Sequence, residues 1–118
     1  MCAAKLSSPL CIEQGATFKQ VFIWKTGSPA NPVDLTGYKA RMQARKTPPD
    51  STVFVDLTTE NGGITLGADG SIRLYISADD TTEYKWRDGV FDLELIDTLG
   101  GITRLIQGAI TVSEEVTR

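Results

Sequence analysis

The sequence predicts an all-β domain: two packed antiparallel sheets, about seven to eight strands, and one short helical turn. Three observations predict it. Short segments rich in β-branched and aromatic residues alternate apolar and polar side chains at period two. Glycine, proline and asparagine turn signals separate them at regular intervals. No strand pattern is followed by a long helical one, which argues against a parallel α/β sheet. A barrel built from the same strands is the alternative. A chain of 118 residues suits one domain with one core, and no internal repeat or interdomain linker interrupts it.

Residues 1–12 read as an N-terminal arm or short first strand, 13–113 as the β-sandwich domain and 114–118 as a C-terminal tail. Leu10–Gln14, across the first boundary, has strand character, and Gly15 allows a bend. Phe18–Lys25 is a strong strand. Phe18, Gln20, Phe22 and Trp24 share one face, Val21 and Ile23 the other. Both faces are partly apolar, so one belongs to the core and the other to an edge or interface. Thr26–Pro32 is a loop. Val33–Gly37 leads into Tyr38–Arg45, where Tyr38, Ala40, Met42 and Ala44 oppose Lys39, Arg41, Gln43 and Arg45.

Pro48-Pro49 ends pairing in the next loop. Thr52–Leu57 is a strand, Glu60–Gly63 a tight turn, and Ile64–Leu66 a short strand. Gly67–Gly70 turns the chain into Ser71–Ile76, with Ile72, Leu74 and Ile76 inward. Ser77 caps one or two helical turns over Asp79–Tyr84, whose first-turn acids face the positive helix end. Trp86 then packs over an open end of the core. A long hairpin closes the domain: Asp88–Asp97, a hinge at Gly100-Gly101, and Ile102 onward. Gly108 breaks the alternation there and marks a bulge or a close backbone contact.

Composition excludes several functions. The formal charge is −3, with 41% apolar and 23% charged residues. A mildly acidic chain has no global attraction for nucleic acid or an anionic membrane. The local basic group Lys39, Arg41, Arg45 and Lys46 reads as a solvent-facing strand surface. No stretch approaches the roughly 18 apolar residues of a membrane helix, and the N-terminus lacks the basic start and apolar core of a signal peptide. Cys2 and Cys11 form no disulfide framework or zinc-ligand spacing. They read as reduced thiols of a protein made in the cytoplasm, with a Cys2–Cys11 disulfide left open.

The chain contains no histidine. This excludes His-based acid–base catalysis and leaves both cysteines without a partner for thiol catalysis. The glycines lie in turns rather than in a phosphate-binding strand–loop–helix. Asp92 and Glu94 share a strand face, but alternating acids on a strand form a solvated face more readily than a glycosidase pair. Asp79 and Asp80 lack the spacing of a calcium loop. No catalytic, metal or cofactor site is expected. Trp24, Tyr75, Tyr84 and Trp86 could read a sugar if exposed and coplanar.

Several segments carry a resemblance: Asp34–Arg45 (DLTGYKARMQAR), Gly70–Asp80 (GSIRLYISADD), Gly89–Leu95 (GVFDLEL) and Thr103–Arg118. In this order they resemble small phage and prophage virion proteins, above all the immunoglobulin-like N-terminal domain of phage baseplate upper proteins. The resemblance implies an immunoglobulin-like sandwich and a non-enzymatic virion part, made in the host cytoplasm. Its implied partners are other phage structural proteins of the tail, baseplate or fibre, in multiple copies, without nucleic acid or membrane. The sequence ends at Arg118, where a baseplate upper protein continues, which favours an adaptor or decoration subunit on a tail, collar or head. The alternatives are a capsid or collar decoration protein and a carbohydrate-binding module. Candidate interface residues are Phe18, Phe22, Trp24, Trp86, Val116 and Arg118.

Overall fold

Strands follow the alternation closely. The structure, a computed structural model, describes residues 4–5, 8–27 and 29–116. The elements are β1 (Ala4–Lys5), β2 (Leu10–Glu13), β3 (Phe18–Ile23), β4 (Lys25–Thr26), β5 (Asn31–Pro32), β6 (Lys39–Arg45), β7 (Val55–Thr58), β8 (Ile64–Leu66), β9 (Ser71–Ile76), α1 (Ala78–Thr82), β10 (Asp88–Ile96) and β11 (Ile102–Ser113). Three of these strands are only two residues long; the other eight span three or more. The fold is all-β, as expected.

One sheet runs β1-β11-β10-β6-β7, with β2 also on β11, and a second runs β3-β9-β8. β4 and β5 form a separate small hairpin. Pairing is antiparallel except at β1 and β2, which both run parallel to β11. That parallel closure departs from a purely antiparallel expectation. It arises because the chain start lies beside the last strand rather than beside β3.

The two main sheets bury their apolar faces in one common cluster. Met42, Ala44, Leu93, Leu95, Ile106 and Ile110 enter from the larger sheet; Phe18, Ile72, Leu74 and Ile76 enter from the smaller. Leu10 and Ile12 of β2 are part of it, and so is Leu35 from the connection before β6. Burying each such side chain contributes about 1.5–3 kcal/mol. β7 begins at Val55 rather than Thr52. The Asp50 carboxylate instead accepts the Thr52 N–H at 3.0 Å, holding that stretch in a turn.

Helix α1 begins where capping chemistry places it. Ser77 Oγ accepts the Asp80 N–H at 3.2 Å, and Asp79 and Asp80 occupy the first turn. Thr81 is fully buried; its hydroxyl donates to the Ala16 carbonyl at 2.9 Å and accepts the Gly15 N–H at 3.1 Å. The short helix is thereby fastened to the turn after β2.

The irregularity in the closing hairpin lies at Leu105, not Gly108. Leu93 pairs with Ile106 and Glu94 with Arg104, leaving Leu105 as the extra residue. Strict alternation from buried Ile106 would direct Arg104 inward; the extra residue directs it to the polar face. Gly108 pairs regularly with Phe91.

Candidate functional site

The outer face of the larger sheet carries the greatest concentration of ionisable groups. Register arranges them in rows. Arg41, Glu94 and Arg104 form one row, Gln43, Asp92 and Gln107 the next, and Arg45, Val90 and Ala109 the third. Asp56 extends the middle row from β7. Arg41 Nε donates to Glu94 Oε1 at 2.7 Å, and Arg104 Nε lies 3.5 Å from Asp92 Oδ2. Burial pushes the Asp92 carboxyl above the usual carboxylate range, and the neighbouring charge of Glu94 adds to this; Arg104, Arg41 and Arg45 oppose it.

A cleft of about 470 Å³ opens on this face, lined by Gln43, Arg45, Pro48, Val90, Asp92, Arg104, Gln107 and Gly108. Arg45 is held in place within it. One terminal nitrogen donates to the Asp50 carbonyl at 2.6 Å and the other to Gln43 Oε1 at 2.9 Å. The basic residues Lys39 and Lys46 stay exposed at the ends of the same strand.

Asp92 and Glu94 do share a face, as expected, but each is engaged by an arginine. Among the described residues no group of three His, Cys, Asp or Glu side chains is arranged to hold a metal ion. Cys11 is exposed on β2; Cys2 lies outside the described residues.

The candidate interface residues are placed differently from one another. Phe18 is buried, and Phe22 and Trp24 are partly buried against the core. That face of β3 therefore fills the core. Its opposite face presents Val21 and Ile23, 48% and 50% exposed, with Tyr75 of β9 also exposed. Trp86 covers the end of the core as expected. Its ring stacks on Phe54 at 4.8 Å and 11° and meets Tyr84 at 5.6 Å. Its indole Nε1 is buried without an acceptor among the described residues. Val116 is 93% exposed, and Arg118 lies outside the described residues.

β3 is also an edge. Its partner is β9, and among the described residues no strand pairs with its other side. The Trp24 N–H donates to Gly70 O at 2.9 Å on the β9 side. Peptide groups alternate along a strand, so those of Lys19, Val21 and Ile23 face the open side. The residues with exposed apolar side chains thus also carry backbone groups that no described strand pairs, the Val21 carbonyl accepting only the Gln20 side-chain amide at 3.5 Å.

A brace that the sequence did not suggest joins the ends of the domain. Gln14 Nε2 donates to Tyr84 O at 3.0 Å, while Gln14 Oε1 accepts the Glu115 N–H at 3.0 Å. Arg87 pairs with Glu114 at 2.9 Å. A polar residue after a short strand gives no sign of partners so distant in sequence.

No protein-family model matches this chain, and no curated protein matches it either.

Proposed function

We propose that this chain is a non-enzymatic structural protein of a phage virion, an immunoglobulin-like sandwich that packs against neighbouring subunits as a tail or baseplate adaptor. The observation that carries the reading is the open edge of β3. It combines peptide groups that no strand among the described residues pairs with the exposed Val21 and Ile23 side chains. A monomer that never docked would have this edge blunted by charge, proline or a covering loop. Here Lys19 is the one charged residue on that face of β3, Lys25 begins β4, and Val21 and Ile23 between them are apolar.

Strand order supports the immunoglobulin-like part of the reading. β3-β9-β8 corresponds to strands B, E and D, and β11-β10-β6-β7 to G, F, C and an added C′. In the constant-type order, a first strand A lies beside B. Here β2 pairs with β11 instead, so no strand among the described residues stands beside β3, which leaves that side to a neighbour's strand. Such an addition draws affinity from main-chain hydrogen bonds and specificity from alternate side-chain contacts. Many equivalent contacts in one particle make individually modest ones sufficient.

The carbohydrate-binding alternative gains little from the tryptophans, since Trp24 packs on the core and Trp86 stacks on Phe54. Crosslinking of intact particles tests the adaptor reading. Lys19 and Lys25 are expected to join a neighbouring chain; crosslinks confined to the chain itself would count against the β3 contact.

A further inference from the structure

We propose that the cleft on the outer face of the larger sheet binds an acidic peptide segment, with Arg45 receiving its side-chain carboxylate. The rows of that face supply the argument. Arg41 meets Glu94 directly across the sheet, at 2.7 Å. Arg45 stands in an equivalent position two pairs along, yet its cross-strand partner is Val90 and the next residue in the row is Ala109. No carboxylate among the described residues lies within ion-pair distance of Arg45.

The guanidinium is nevertheless fixed. Two of its five N–H groups are used on Asp50 O and Gln43 Oε1, and three remain to donate. An arginine held this way loses little freedom on binding, and its planar fork matches a carboxylate. Val90, 36% exposed, and Pro48 line the same cleft and suit the methylene groups of a glutamate side chain. Gln43 and Gln107 offer amide donors and acceptors to a peptide backbone. No aromatic ring lies open in the cleft to stack on a sugar, because Phe91 is directed into the core. These features favour a peptide over an acidic saccharide.

This site lies away from β3, and its test does not depend on incorporation into particles. The purified protein is titrated, with amide and arginine side-chain NMR signals followed, using the blocked peptide Ala-Glu-Ala, its Ala-Gln-Ala analogue and free glucuronate. The expected result is saturable shifts at Gln107, Gly108 and the Arg45 side chain, with a preference of about tenfold for glutamate over glutamine. Arg45→Lys is expected to remove most of that preference. Val90→Glu supplies the missing carboxylate from the chain itself, so it abolishes peptide binding while the spectrum remains that of a folded domain. Equal binding of the two peptides, binding that survives Val90→Glu, or saturation by glucuronate alone would each overturn the proposal.

Discussion

Asp92 shows how a single side chain on this sheet is governed by its neighbours. Its carboxyl is raised, first by burial and second by Glu94. A folded-state pKa above the unfolded one means that the native state holds the proton more firmly. The resulting stabilisation is present below the unfolded pKa and is lost as pH rises through the folded one. Asp92→Asn is therefore expected to be at least as stable as the wild type at neutral pH. Its advantage should shrink as pH falls through the carboxylate range. Denaturant titrations at several pH values check this, and a wild type clearly more stable at pH 7 would contradict it. Trp86 gives a second residue-scale expectation. Its stacking on Phe54 supports the core end, but its buried Nε1 has no acceptor. Trp86→Phe keeps an aromatic face and removes the unsatisfied donor, so thermal melts should show a cost below about 1 kcal/mol, against about 3 kcal/mol for Trp86→Ala.

At the scale of elements, the decisive device is the extra residue at Leu105. It lets one strand bury Ile106 and still present Arg104 beside Asp92. Deleting Leu105 removes the bulge and makes Arg104 the neighbour of Ile106, so strict alternation keeps Arg104 on the outer face opposite Glu94, and what is lost is the half-buried Leu105 side chain packed against the core. Urea unfolding is expected to show a loss of about 1–3 kcal/mol, the scale of one partly buried leucine; a loss above about 5 kcal/mol, as from a buried guanidinium, would refute the role given to the bulge. Much of this level was legible beforehand. Lys39–Arg45 alternates so cleanly that its buried face followed from period two, and Ser77 with Asp80 marked the helix start. The bulge was displaced to Gly108 because glycine is the visible sign of irregularity, whereas a leucine insertion leaves none. The Phe18–Ile23 strand was legible as two-faced, but both faces are apolar, so alternation alone could not say which one the core takes. Leu35, Gln14 and the parallel pairing of β2 depend on contacts between distant segments, which local pattern does not encode.

For the whole molecule, the larger sheet uses its outer face for charge, and the smaller sheet has an edge that no strand among the described residues pairs. The arrangement separates two surfaces: a polar cleft centred on Arg45 and an apolar strand edge at Val21 and Ile23. Because Val21 and Ile23 lie outside the core, replacing both with lysine should leave the melting temperature within about 4 °C of the wild type. The same change places charge on the edge, the means by which natural sheets block strand addition. The assembly reading is tested most directly by quantitative mass spectrometry of purified phage particles, comparing the wild type with the Val21→Lys/Ile23→Lys variant at equal expression. The wild-type chain is expected in mature particles and the folded variant is expected to be missing or strongly depleted. Absence of the wild-type chain from mature particles would contradict the account, as would undiminished incorporation of the variant.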